Sequence, residues 1–222
     1  MASTALEDYL KIIFKLQEGL PASKGVSTTD IAARLNISKA SVSNMLKKLS
    51  EQGFIDYAPY QGVALTEQGQ KIALNMIRRH RIVELFLVER LGFGWDEVDE
   101  EAEILEHAIS DKLANRMWQD LGCPTQDPHG SPIPDESGQM MVQNWGCLAN
   151  QALDAQVTIE RIQNRSPEEL RYLESIGLTK GICVQVKSKA PFKGPVTLSL
   201  PNQLCSIDYR MAKSILVSET CL

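Results

Sequence analysis

Residues 27–65 carry the order of signals that most restricts the fold. Ser27 stands before "TTDIAARL" with Asp30 three residues on, the spacing of a helix capping box, and Ile31, Ala32 and Leu35 give that helix one apolar face. "NIS" makes a tight turn. Ser38 then caps "KASVSNMLKKLSEQG", buried through Val42, Met45, Leu46 and Leu49, and Gly53 stands where this helix ends. "FIDYA" and "VALT" predict two short strands around "PYQG". Two helices at a tight turn followed by a two-stranded wing predict a winged helix-turn-helix. Upstream, Leu6, Leu10, Ile13 and Leu16 recur at a spacing of about 3.6 residues, which predicts an amphipathic helix over 5–17.

The start of the third helix is short and polar (Ser38, Lys39, Ser41, Asn44) and its later turns are basic (Lys47, Lys48). Small side chains there can reach base edges in a major groove, while lysines and the helix N-terminus meet phosphates. Charge agrees: residues 1–79 hold ten Lys/Arg against seven Asp/Glu, and residues 80–222 hold thirteen against twenty-one. A basic front and an acidic remainder suit an anionic partner at one end and a cation at the other.

After the wing, Thr66 starts a long helix through "KIALNMIRRHRIVELFLVERLG", followed by an acidic helix expected over Asp96–Leu121. Residues 122–138, "GCPTQDPHGSPIPDESG", read as a linker containing a compact turn. Beyond Gln156, "VTIERI", "ICVQVKSK", "PVTLSL" and "QLCSI" predict strands around one helix, "SPEELRYLESIG". The expected domains are 1–72, 73–145 and 146–222. No apolar run approaches the roughly 18 residues of a membrane span, and "MASTALEDYLKIIF" lacks the order of a secretory signal. Five scattered cysteines without a CxxC pair point to reduced thiols and a cytoplasmic protein.

The stretch "DEEAEILEHAISD" holds Glu103, Glu106 and His107 at i, i+3 and i+4, on one helix face, with the mixed oxygen and nitrogen donors of a divalent metal site. Each of the three histidines lies within four residues of a carboxylate: His80 with Glu84, His107 with Glu103, and His129 with Asp127. A zinc peptidase needs H-E-x-x-H or H-x-x-E-H, and "EILEH" has Glu103 where the inverted motif needs histidine, so a metallohydrolase is disfavoured. A metal-independent winged-helix regulator is the other alternative.

The pieces "EDYLKIIFKL", "DIAARLNISKASVSNMLKKLSEQGFI", "LTEQGQKIA", "RRHRIVELFL", "EAEILEHAISD" and "DPHGSPIP" resemble the metal-dependent repressors that include the diphtheria toxin repressor and the manganese transport regulators. The tail "LRYLESIGLTKGICVQV…APFKGPVTLSL" resembles that family's SH3-like, FeoA-like terminal domain. The resemblance implies a mainly helical fold with small β parts: a winged helix, a helical dimerisation domain and a small β-barrel. It implies a homodimer that binds a divalent metal and then a palindromic operator in double-stranded DNA.

Carried over by motif, the main metal site would use Asp8, Glu103, Glu106 and His107. Iron-responsive members have Met and Cys where this chain has Asp8 and Glu103, so hard donors imply Mn²⁺ over Fe²⁺, with Zn²⁺ or Co²⁺ able to substitute in vitro. A second site would draw on His80, Glu84, Asp127 and His129, with Glu169 from the terminal domain. Lys11 stands where short manganese regulators have a second acidic residue, which implies separated rather than bridged sites; Asp99 is a weaker ligand candidate. Ser38, Ala40, Ser41 and Asn44 are expected to face bases, and Thr28, Lys39, Lys47, Tyr60 and Gln61 to meet phosphates or form the wing.

Overall fold

The computed structural model describes residues 4–18, 20–21, 24–58, 62–141 and 143–219. The chain divides into two compact units: one holds the chain up to Arg79 with Pro134–Gln139, the other His80–Ile133 with the chain from Met140 onward.

The first unit contains α1 (Thr4–Gln17), α2 (Thr28–Leu35), α3 (Lys39–Glu51), β1 (Ile55–Ala58), β2 (Gly62–Leu65) and the start of α4 (Glu67–Leu91). Local chemistry fixes each boundary. The Ser27 hydroxyl accepts from the Asp30 amide at 3.0 Å and opens α2. Asn36, at φ 54° in the left-handed region, closes it. The Ser38 hydroxyl accepts from the Ser41 amide at 3.1 Å and opens α3. Leu10, Ile13, Ile31, Val42, Leu46 and Leu49 are fully buried, joining the three helices through one core. β1 and β2 pair antiparallel from Ile55↔Leu65 to Ala58↔Gly62, and Val26 bridges Val63. Gly62 is required there: at φ +89°, a Cβ would lie 2.7 Å from the Gly25 carbonyl carbon. This is the winged helix-turn-helix.

The second unit continues α4 and adds α5 (Val98–Ala108) and α6 (Asp111–Asp120). The single acidic helix expected over 96–121 is therefore two. Ile109 is extended (φ −81°, ψ 146°), and Ser110 restarts the chain by accepting from the Leu113 amide at 3.2 Å. α5 begins with Asp99, Glu100 and Glu101 in its first turn, where the helix dipole favours negative charge. Its buried stripe is Val98, Ala102 and Glu106, the first two packing with Val83 and Leu87 of α4.

The terminal part is a six-stranded antiparallel sheet: β3 (Gly146–Cys147), β4 (Gln156–Ile162), β5 (Cys183–Lys189), β6 (Val196–Ser199), β7 (Leu204–Ile207) and β8 (Ile215–Ser218). The spatial order is β3-β8-β4-β5-β6-β7. A 3₁₀ turn at Leu148–Asn150, α7 (Pro167–Ser175) and α8 (Tyr209–Lys213) accompany it. Val157, Ile159, Val184, Val186, Leu198 and Val217 alternate inward to a core that α7 closes with Leu170 and Leu173. A bulge between Ile159 and Arg161 turns Ile162 inward as well. Sequence periodicity found four of these strands and α7; β3, α8 and β8 are additions. Among the described residues Cys123, Cys147 and Cys205 are free thiols, as expected; Cys183 is disulfide-bonded and departs from that expectation, since scattered cysteines carry no spacing from which a pairing can be read. Among the described residues no helix is long and apolar enough to cross a membrane.

Because the Ser110 hydroxyl caps α6, Ser110→Ala is expected to lower stability by about 1 kcal/mol. A shift of the urea midpoint at constant slope would show it; an unchanged midpoint would mean that α6 is held by packing only.

Candidate metal centre

α4 supplies the axis of the site in the second unit. His80 and Glu84 stand one turn apart on it, and both are buried. α5 brings three carboxylates to His80. Nδ1 lies 2.7 Å from Glu106 Oε2 and 3.8 Å from Glu103 Oε1, and Nε2 lies 3.3 Å from Asp99 Oδ1. Nε2 is also 3.5 Å from Glu84 Oε1. Burial alone would lower the His80 pKa, but Glu84, Asp99 and Glu106 outweigh it and raise it to about 10. The imidazole is therefore a cation at neutral pH. The other oxygen of Glu106 faces His107 Nε2 at 3.5 Å. Glu106 is thus buried between two imidazoles, while the Asp99 and Glu103 side chains remain 38% and 42% exposed and leave the cluster an open side.

A second cluster lies across Glu84. Residues 122–138 are more than a linker, because Asp127, His129 and Ser131 are buried. Asp127 organises the turn: its Oδ1 accepts from the His129 amide at 2.9 Å and the Ser131 amide at 2.8 Å. Gly130 (φ +90°) lies so near β4 that a Cβ would sit 1.9 Å from the Glu160 carbonyl oxygen, and the Ile162 amide donates to the His129 carbonyl at 2.8 Å. The Trp95 ring stacks on His129 with centroids 5.5 Å apart. Glu84, Asp127 and His129 can each offer one donor atom, all within 4.8 Å of one another. Among them lies Arg165. Its Nη1 donates to Glu84 Oε1 at 2.8 Å and contacts His129 Nδ1, and its Nη2 donates to Asp127 Oδ2 at 2.8 Å and Ser131 Oγ at 3.1 Å. Burial would raise the Asp127 carboxyl, but Arg165 and Arg81 hold it well below the usual carboxylate range. Burial and the Arg165 charge push His129 down.

The expected second site of His80, Glu84, Asp127, His129 and Glu169 is accordingly divided. His80 faces α5, and Glu84 stands between the two clusters. Glu169 is held by Arg210 at 2.7 Å and by the Asn164 amide, and it is not one of the residues gathered with Glu84, Asp127 and His129. Two participants were missed or underrated. Asp99 contacts His80 directly, and its position opposite a buried histidine one helix away has no local signature. Arg165 is 34 or more residues from every side chain it bonds and gives no sequence signal.

In donor chemistry the His80–α5 cluster fits a divalent ion that displaces the His80 proton on binding: carboxylates and imidazoles converge with one side open. Asp8 lies on α1 in the first unit, half-buried. Of the expected DNA contacts, Ser38, Lys39, Ala40, Ser41, Asn44 and Lys47 are exposed on α3, Thr28 is half-buried, and Tyr60 and Gln61 lie outside the described residues. The Ser38 and Ser41 hydroxyls lie 2.9 Å apart and share a hydrogen bond.

Comparison with known proteins places this architecture. Residues 1–63 match the iron dependent repressor N-terminal DNA binding domain, 66–135 the iron dependent repressor metal binding and dimerisation domain, and 147–219 the FeoA domain. An HTH-type transcriptional regulator of Methanocaldococcus jannaschii is 40% identical over 116 residues, 52% of this chain and 90% of the relative. The chain belongs to the iron-dependent repressor family. This is a family of metal-dependent, DNA-binding transcriptional repressors, not of enzymes. The iron-dependent repressor IdeR of Mycobacterium tuberculosis is 35% identical over 130 residues, 58% of this chain, and the match spans about half (54%) of its length. A solved manganese-dependent transcriptional repressor in complex with manganese superposes with a TM-score of 0.88 at 38% identity, covering 96% of this chain and 98% of that one. The manganese regulator SloR superposes at 0.78 with 30% identity, covering 97% and 98%.

Two outcomes follow from this geometry. Gly130→Ala drives a methyl into the Glu160 carbonyl and is expected to lower stability by about 2–3 kcal/mol, measured as a fall in the urea midpoint. His80, raised in the fold, stabilises the metal-free protein fully below its unfolded pKa of 6.5 and loses that contribution as pH rises to about 10. Metal-free wild type should therefore lose stability relative to His80→Gln between those limits. Parallel pH profiles would show that the imidazolium is not bound as described.

Proposed function

We propose that this chain is a manganese-responsive repressor: a cytoplasmic homodimer that, with Mn²⁺ bound, occupies a palindromic operator and shuts down metal-uptake genes. The observation that carries the reading is Glu106, a buried carboxylate between His80 and His107, with Glu103 and Asp99 on its open side. Asp8, Glu103, Glu106 and His107 form the proposed main ligand set, all hard oxygen or imidazole donors. The likeness to manganese-dependent repressors along nearly the whole chain supports Mn²⁺, while 35% identity to IdeR keeps Fe²⁺ as the competing effector.

A bound divalent ion supplies two positive charges among carboxylates that otherwise repel one another and DNA. The chain's residues do the rest. Asp8 belongs to α1 of the winged helix and the other three ligands to α5, so shared ligation couples the reading head to the dimerisation domain. In a dimer this holds the two α3 helices near one DNA turn apart, about 34 Å. Ser38, Ala40, Ser41 and Asn44 then face base edges, and Lys39, Lys47 and Thr28 meet phosphates. Coupling is reciprocal: DNA tightens metal binding by the factor that metal tightens DNA binding.

The test is fluorescence anisotropy with promoter DNA of a manganese importer at fixed salt, titrating Mn²⁺, anaerobic Fe²⁺ and Zn²⁺. Mn²⁺ should raise operator affinity in wild type, and Asp8→Ala and His107→Ala should each lose at least tenfold of it, about 1.4 kcal/mol, while staying folded. Unchanged affinity in both variants rejects the tether. A steeper response to Fe²⁺ at equal free metal favours the iron reading.

A further inference from the structure

We propose that Arg165 is the resident cation of the Glu84–Asp127–His129 cage and keeps that cage closed to divalent metal. The inference goes beyond the proposed function, since it concerns residues outside the main ligand set.

The hydrogen-bond pattern decides what the cage can accept. Arg165 carries only donors, so His129 Nδ1, against Arg165 Nη1, must be an acceptor. The Trp95 carbonyl, 2.8 Å from His129 Nε2, can only accept, so the imidazole proton sits on Nε2. His129 is therefore neutral with its single lone pair on Nδ1, and that lone pair, the one an ion in the cage would need, is taken by the guanidinium. The facing oxygens of Glu84 and Asp127 are taken by the same group, each at 2.8 Å. Four directed contacts from one planar fork are the kind of recognition that an arginine performs and a point charge does not.

Charge points the same way. Glu84 and Asp127 bring two negative charges; Arg165 and Arg81, whose Nε is 3.9 Å from Asp127 Oδ2, bring two positive ones. The set, in which only Arg165 is partly exposed, is balanced with His129 neutral. A divalent ion added to it would leave excess positive charge in a low-dielectric interior, an unfavourable state.

The arginine is also mounted to stay. It lies between β4 and α7, where the Gln163 amide donates to the Ser214 carbonyl at 2.9 Å and the Ser166 amide to Asn164 Oδ1 at 3.0 Å. The Asn164 side chain in turn donates to Glu169, itself clamped by Arg210. Glu169 thus acts as a positioning residue for the Arg165 loop.

Mn²⁺ bound per full-length chain, counted by equilibrium dialysis with electron paramagnetic resonance of the free ion, tests this. Wild type and Asp127→Asn should bind the same number. Arg165→Gln should bind one more, and Arg165→Gln/Asp127→Asn should lose the addition. Arg165→Lys, which keeps a cation in place, should match wild type. A count that falls by one in Asp127→Asn overturns the proposal, as does a folded Arg165→Gln that binds no more than wild type. Should Arg165→Gln fail to fold, Asp127→Asn decides alone. Glu106→Gln separately reports the metal proposed at α5, so failure of that reading is distinguishable from failure of this one.

Discussion

Three carboxylates, Glu84, Glu106 and Asp127, lie fully buried in the second unit, and a buried charge is tolerated only with a partner. The architecture around them supplies those partners. α4 contributes His80 and Arg81; the 127–131 turn contributes a neutral imidazole and the backbone amides that Asp127 accepts; the loop after β4 contributes Arg165. Apolar packing of Val83, Leu87, Val98 and Ala102 brings α4 and α5 together, but it does not choose which turn of one helix faces which turn of the other. The polar pairs do, because a slip of one turn would take Glu106 away from the His80 imidazole and leave it only His107 of its own helix.

The acid-rich start of α5 is resolved by position rather than by one partner. Asp99, Glu100 and Glu101 occupy the first turn, where the unsatisfied amides and the helix dipole favour them. Glu103 lies on the open side of His80, and Glu106 continues the buried stripe begun by Val98 and Ala102. Five carboxylates thus divide into dipole partners, a solvent-side donor and a buried donor, separated only by helical phase.

What was legible in the chain is what local chemistry determines. The caps at Ser27 and Ser38, the tight turn at "NIS" and the paired wing strands are short-range features whose residue types and spacing carry their own physical reason. The break between α5 and α6 was legible in the same sense, since Ser110 followed by "DKL" is a capping position, but continuous helical periodicity across 96–121 obscured it. β3 and β8 were not legible. The "ILVS" strand is only four residues long and gains its place by pairing with β4 rather than by a long alternating pattern. Arg165 marks the limit of this kind of reading: an arginine beside a helix cap in "QNRSPEE" reads as a solvated residue, and its role arises from contacts with Asp127 and Glu84, 38 and 81 residues away.

The two clusters sharing Glu84 show why ligand-type residues at the right distances do not by themselves make equivalent metal sites. At His80 three α5 carboxylates meet one imidazolium, so these groups carry a surplus of negative charge beside an open face. In the other cluster the surplus is already cancelled, and the imidazole lone pair already used, by arginine. The distinction bears on selectivity. For a given oxygen and nitrogen donor set, intrinsic affinity rises from Mn²⁺ towards Cu²⁺, so a site meant for an early metal cannot exclude later ones by donor strength alone. It must rely on coordination geometry and metal supply, and a spare imidazole–carboxylate cage nearby would favour the later metals. Filling such a cage with a guanidinium removes that competition without removing the residues, because the same Asp127 turn that would present ligands also anchors His129 against Trp95 and the end of β4.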